Sequence, residues 1–210
     1  MLVVGLTGPT GAGKGIISGI LDKNGIPVID TDRVSRLVYE KGEPCFNELV
    51  ECFGNVILKP DGTLDRKALG WEVFESENHT EKLEKLNFIS HKHILAYVDE
   101  WLGEMSAQGF LAAAVDAPQL FESGFDKKCN LIIGVIADKN TRIERIKTRD
   151  NIDTQTALAR IDSQHSDGFF EENCTLVFHN DKSEAELEAD MADIIEKLRR
   201  GECPCRKAEA

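Results

Sequence analysis

The sequence predicts an α/β fold: a three-layer α/β/α arrangement around a five-stranded, mainly parallel sheet, with a helical substrate-binding cap and a lid. Three observations predict it. Five short apolar runs rich in Val, Ile and Leu, at residues 2–6, 26–29, 110–115, 131–136 and 175–178, are separated by segments of helical periodicity, the pattern of strands buried on both faces. The first run leads directly into Gly8-Pro9-Thr10-Gly11-Ala12-Gly13-Lys14, a glycine-rich loop placed between a strand and a helix. A chain of 210 residues with 41% hydrophobic and 30% charged side chains suits one compact α/β unit with a small inserted cap.

The loop after the first strand is a phosphate-binding loop, which makes the fold that of the P-loop nucleotide-binding proteins. Its glycines let successive backbone N–H groups converge on phosphates, the N-terminal dipole of the following helix favours negative charge, and Lys14 reaches the outer phosphates. Gly8 to Gly13, Lys14, Gly15 and Ile16 are therefore the expected nucleotide contacts. The pattern G-x-x-x-x-G-K-[ST] ends in a hydroxyl that ligates magnesium, and this chain has Gly15 there. The change leaves phosphate cradling intact and removes one direct metal ligand.

The second strand ends in Val28-Ile29-Asp30-Thr31-Asp32-Arg33, at the carboxyl edge where open α/β sheets bind ligands. If the strand continues, Asp30 and Asp32 face the same way, one to accept a proton from a substrate hydroxyl and the other to hold metal-bound water. Asp30 reads equally as a helix N-cap, with Asp32 as the base. Residues 30–109 look helical, with periodic segments at 46–53 and 83–102 and a turn at Lys59-Pro60-Asp61-Gly62. They are expected to cap the strand ends.

The third strand runs into Val115-Asp116-Ala117-Pro118-Gln119-Leu120-Phe121-Glu122. An acidic residue here, beside the phosphate loop, suits the water shell of magnesium, while Pro118, Leu120 and Phe121 could wall an apolar part of the substrate. After the fourth strand come helical patterns at 140–149 and 154–164 carrying Arg142, Arg145, Arg149 and Arg160, placed as a basic lid. Arg145 and Arg149 share a helix face and are the candidates for neutralising phosphoryl oxygens; Arg142 reads as a solvated surface charge. The stretch 184–198 should pack back on the sheet, and residues from 199 onward lack apolar periodicity and are expected to fray. The expected organisation is a core of about 1–30, 108–140 and 174–200, a cap of about 31–107, a lid of about 141–173 and a flexible tail of 201–210.

A net charge of −12 argues against broad contact with nucleic acid or an anionic membrane, so anionic ligands must be met by local basic clusters. No run approaches the ~20 apolar residues of a membrane span, and the chain reads as cytoplasmic. Cys45, Cys52, Cys129 and Cys174 lie in apolar segments and are expected to be reduced core thiols. Cys203-Pro204-Cys205 has no second Cys or His pair to complete a zinc site.

In combination these segments resemble the dephospho-CoA kinase family over about residues 2–198. The resemblance rests on the phosphate loop, Gly25-Ile26-Pro27-Val28-Ile29-Asp30-Thr31-Asp32, Leu58-Lys59-Pro60-Asp61-Gly62-Thr63-Leu64-Asp65-Arg66, the segment from Asp116 to Gly124, Arg142-Ile143-Glu144-Arg145-Ile146-Lys147-Thr148-Arg149-Asp150, and Ala159-Arg160-Ile161-Asp162-Ser163-Gln164. It implies transfer of the γ-phosphoryl group of ATP, with Mg2+, to the 3′-hydroxyl of dephospho-CoA. By the same resemblance Asp32 is the base, Lys14 and the loop hold ATP, and Arg145 and Arg149 belong to the lid. Arg33, His91, Pro118, Leu120 and Phe121 fall to the acceptor, and Asp30 and Asp116 to metal-bound water. Independently of the resemblance, a monomer or weak homo-oligomer is the expected state. Departures from the pattern are Gly15, Lys92 for a proline, Gln119 for a leucine, the less basic Gln164-His165-Ser166-Asp167-Gly168-Phe169-Phe170, and Asp181 after Asn180. Two alternatives stay open: another nucleoside or small alcohol as acceptor, or a nucleotide-binding protein impaired in catalysis by Gly15.

Overall fold

Strand β1 (Leu2–Thr7) lies at the centre of a five-stranded sheet in the order β2 (Val28–Asp30), β3 (Ala112–Asp116), β1, β4 (Leu131–Ile136), β5 (Leu176–His179). Every neighbouring pair is parallel. The computed structural model describes residues 1–75, 78–181 and 183–204. By internal contacts the chain divides into one unit of 1–30 and 102–210 and a second unit of 31–101.

In the first unit, helix α1 (Lys14–Lys23) and the C-terminal helix α9 (Glu184–Arg199) cover one face of the sheet. Ile17, Ile20 and Leu21 of α1 join Leu187, Met191, Ile195 and Leu198 of α9, spaced at three and four, over Val4, Leu6, Ala112, Ala114, Leu131, Ile133 and Val135. Each such side chain contributes about 1.5–3 kcal/mol by leaving water. Ser183 opens α9 with a reciprocal capping box to Glu186.

The remaining helices of the first unit are α6 (Lys139–Asp150), α7 (Thr154–Asp162) and α8 (Asp167–Asn173), begun by side-chain caps from Asp138, Asp153 and Ser166. Ile143 and Ile146 of α6 pack with Ala157 and Ile161 of α7, and Phe170 of α8 packs with Ile136 and Cys174. Helix α8 was not expected, because seven residues are too few for a readable period. The sheet is close-packed at its glycines: a Cβ on Gly5 would sit 2.8 Å from Cys129 Sγ, and one on Gly134 would sit 2.8 Å from Cys174 Sγ. These thiols fill space that strand glycines leave.

The second unit is helical: α2 (Thr31–Val38), α3 (Pro44–Phe53), α4 (Arg66–Phe74) and most of α5 (His79–Ala107). Val34, Val38, Cys45, Phe46, Leu49, Ile57, Leu69, Val73 and Val98 are among its buried residues. The turn at 59–62 closes as expected, with Gly62 N donating to Lys59 O and Gly62 at φ 76, and it brings Leu58 into a bridge with Leu64.

Three expectations are corrected. Strand β2 stops at Asp30 and a helix begins at Thr31, so the alternation that would turn Asp30 and Asp32 the same way does not apply. Cys52 is exposed on α3 rather than in the core. The chain after α9 does not fray at once: Gly201 turns with φ 71, and Cys203 packs against the core and donates to Asn130 O at 3.3 Å. Cys205 and the rest of the expected tail lie outside the described residues. Among the described residues no helix is long and apolar enough to cross a membrane.

Candidate nucleotide and phosphoryl-transfer site

The site in the first unit is built where β1 ends. Gly8, Gly11 and Gly13 take φ values of 144, 78 and 89, a region L side chains rarely adopt. Space excludes a side chain there as firmly as conformation does. A Cβ on Gly8 would lie 2.1 Å from Val135 O, and one on Gly13 would lie 2.0 Å from Asn180 Nδ2. Gly13 is the N-cap of α1 and makes no side-chain cap hydrogen bond, so the amides at this helix start suit an anion. Lys14 follows as the first helical residue, and its Nζ donates to Gly8 O at 3.1 Å. Gly15 has an open side: a Cβ there meets nothing within 4 Å.

The carboxylate expected beside the loop, Asp116, ends the strand next to the one that feeds it. Asp116 at the end of β3 is in register with Leu6 of β1 on one side and Asp30 of β2 on the other. Ser18 of α1, one turn beyond Lys14, donates its hydroxyl to Asp116 Oδ2 at 2.7 Å. Among the described residues no group of three or more His, Cys, Asp or Glu side chains forms a metal cage. Two half-buried carboxylates at a phosphate loop fit magnesium, which keeps several waters and takes phosphate oxygens as ligands.

The arginines of α6 all reach the loop. Arg145 donates to Gly11 O and Ala12 O, both at 3.3 Å, and to Asn180 O at 3.1 Å. Arg149 Nη2 lies 3.5 Å from Thr10 Oγ1 and pairs with Asp150, as does Arg160. The Arg149 hydrogen bond, helped by the charges of Arg149 and Arg160, holds the Asp150 carboxyl below its usual pKa against a smaller upward push from burial. Arg142, expected on the surface, is 3% exposed. Its Nε donates to Thr10 O at 3.0 Å and its Nη1 to Asp167 Oδ1 at 3.1 Å. Burial lowers its pKa and Asp167 opposes that.

Residues that the sequence marked only as parts of the family pattern or departures from it, with no site role, complete the cradle. Asn180 is fully buried and donates from Nδ2 to Ala12 O at 2.7 Å. Gln164 accepts from Thr10 N at 2.8 Å, and Asp181 accepts from Asp138 N at 3.1 Å. Of the expected acceptor wall, Leu120 is fully buried, where its side chain closes on Gly5; it serves the core and has no surface to offer a substrate. Phe121 is partly exposed and meets Phe169 edge-on at 5.1 Å, and Pro118 is partly exposed.

Asp32, Arg33 and His91 belong to the second unit. Asp32 and Arg33 are exposed in the first turn of α2, and His91 is half-buried within α5. The helix continues through Lys92, which ion-pairs with Glu48 of α3 at 2.7 Å; His93 Nε2 lies 3.2 Å from the same oxygen. The Lys92 hydrogen bond is the main influence lowering the Glu48 pKa.

The dephospho-CoA kinase family model (CoaE) matches residues 2–186. A dephospho-CoA kinase of Corynebacterium glutamicum is 35% identical over 198 residues, covering 94% of this chain and 98% of the relative. One of Bacillus cereus is 35% identical over 196 residues, covering 93% and 96%. A crystal structure of a Thermus thermophilus protein aligns with TM-score 0.79 at 26% identity over 94% of this chain and 97% of that one. A dephospho-CoA kinase structure from Campylobacter jejuni shares the fold, with TM-score 0.68 at 24% identity over 95% and 98%. With a phosphate loop, paired strand-end carboxylates and arginines converging on one sheet edge, and a family match across most of its length, this chain belongs to the dephospho-CoA kinase family.

Proposed function

We propose that this protein transfers the γ-phosphoryl group of ATP to the 3′-hydroxyl of dephospho-CoA, giving CoA and ADP in the last step of CoA biosynthesis. The observation that carries the reading is the sheet edge itself. The phosphate loop and Lys14 leave β1 beside Asp116, which is in register with Asp30, while α6 directs arginines at the same loop. Phosphoryl transfer needs positioned phosphates and compensation of their charge more than covalent chemistry from the protein.

In this reading the loop residues from Gly8 to Gly15, with Ile16 in the first turn of α1, hold the nucleotide, and Lys14 moves from Gly8 O to the outer phosphates. Asp30 and Asp116 hold the waters of magnesium, which when bound neutralises charge on the phosphate oxygens. Arg145 and Arg149 exchange their present oxygen partners for phosphoryl oxygens when the α6–α8 segment acts as a lid. Asp32 accepts the proton of the ribose hydroxyl, and Arg33, His91, Pro118 and Phe121 contact the acceptor. The proposed setting is the cytoplasm, with the protein a monomer or weak homo-oligomer.

Gly15 favours a second reading, a nucleotide-binding protein with impaired catalysis. Incubation of the purified protein with ATP, Mg2+ and dephospho-CoA, followed by mass-resolved chromatography, separates the two. CoA and ADP formed in equal amounts support the kinase. ATP binding with neither product across a range of Mg2+ concentrations supports the impaired binder, and transfer only to a different alcohol moves the acceptor.

A further inference from the structure

We infer that Arg142 is a positioning residue that presets the phosphate loop and ties it to the segment from α7 to α8. The two peptide groups flanking Thr10 are both held from that direction: Gln164 Oε1 takes the Thr10 amide at 2.8 Å, and Arg142 Nε donates to the Thr10 carbonyl at 3.0 Å. The next residue, Gly11, packs on the α6 backbone that carries Arg142. A Cβ at Gly11 would lie 2.9 Å from Arg142 O and 3.1 Å from Arg142 Cα. The far end of the guanidinium pairs with Asp167 in the first turn of α8.

One planar, always-charged side chain thus spans two elements in a fixed fork, a geometry lysine cannot reproduce. The pairing is a poor choice for stability alone. Arg142 is 3% exposed, and its Nη2 is buried with no hydrogen-bond partner among the described residues, whereas an apolar residue of similar volume would avoid desolvating a charge. What the arginine does that an apolar residue cannot is hold a loop carbonyl. A loop whose carbonyls are held outward presents its amides to phosphate before ATP arrives, so less ordering is left to binding.

The inference rests on the kinase reading for its ligand, and ATP is the probe. Arg142→Gln should weaken ATP binding, measured by calorimetry, about tenfold, as expected for loss of one charge-assisted hydrogen bond. The KM for dephospho-CoA should stay unchanged, and the Thr10 amide of the nucleotide-free protein should exchange hydrogen faster. Arg142→Lys should recover only part of the affinity. If Arg142→Gln fails to fold because Asp167 is left without its cation, the double change Arg142→Gln with Asp167→Asn removes both charges and should show the same ATP and exchange defects. Wild-type ATP affinity in the folded variant overturns the inference. So does a fall in melting temperature with equal loss for both substrates, the mark of a purely structural pair. Failure of the wild-type protein to make CoA would sink the kinase reading and leave the ATP-affinity and exchange comparison intact.

Discussion

Replacing Gly15 with serine tests the site where the phosphate-loop pattern is incomplete. Gly15 is the second residue of α1, it has no positive φ, and a Cβ there meets nothing within 4 Å. Neither conformation nor space opposes the change. Serine is about 0.5 kcal/mol better than glycine in a helix, so Gly15→Ser should raise the melting temperature by about 1–2 °C for a chain of this size. Position 15 is three residues before Ser18, on the α1 face whose hydroxyl already reaches Asp116. A hydroxyl added there can replace one metal-bound water, and fixing a water costs up to about 2 kcal/mol. If about 1 kcal/mol of that is recovered, the Mg2+ concentration giving half-maximal turnover falls about fivefold. The assay is a Mg2+ titration of initial rate at saturating ATP and dephospho-CoA, paired with calorimetric Mg-ATP binding. Gly15→Ala is the control: it should stabilise by about 1 kcal/mol and leave the metal requirement alone. An unchanged Mg2+ requirement in Gly15→Ser refutes the reasoning, as does a loss of stability in either variant.

Four further outcomes are expected. Asp32→Asn, which keeps size and removes proton acceptance, should lower turnover by roughly 10²-fold or more with ATP affinity nearly intact; near-normal turnover removes Asp32 from the role. Gly13→Ala should be destabilising by about 3 kcal/mol or more in denaturant melts, because the new methyl would sit 2.0 Å from Asn180 Nδ2 at a φ of 89, and pairing it with Asn180→Ala should recover part of the loss. Burial pushes the Cys45 thiol up to about 11 and the Cys129 thiol up to about 12. Thiol reagents at mildly alkaline pH should therefore label exposed Cys52 before either of them. The unfolded chain ionises these thiols near 9 while the folded chain keeps them protonated, so the unfolded state binds fewer protons and stability should fall as pH rises above about 9. Stability flat through that range contradicts the burial of both groups.

The expected strand at 131–136 coincides with β4, and those at 2–6, 110–115 and 175–178 lie within one or two residues of the strands found. They were legible because a buried parallel strand writes its own apolar run. The phosphate loop was legible because its glycines answer a local backbone demand. Helix α4 was legible only as part of the helical stretch 30–109 and not as an element of its own, since its exposed Trp71 and Phe74 blur the period that marks a buried face. Of the site, Lys14, Asp30 and Asp116 could be placed from their positions at strand and helix ends, and Arg145 and Arg149 from their spacing on one helix.

What the sequence determined by itself is what local rules govern: strand and helix periodicity, the positive φ of loop glycines, and the family pattern carried by short motifs. What only the tertiary structure decided is which polar side chains the fold encloses. Arg142 and Arg145 have the same spacing logic, yet Arg142 is buried because α8 brings Asp167 to it and the loop brings Thr10, 132 residues away in sequence. Leu120 leaves the expected acceptor wall for the same kind of reason: Gly5, distant in the chain, opens the space that its side chain fills. Periodicity records which face of an element turns inward, whereas the partner it meets there is set by chain segments that only folding brings together.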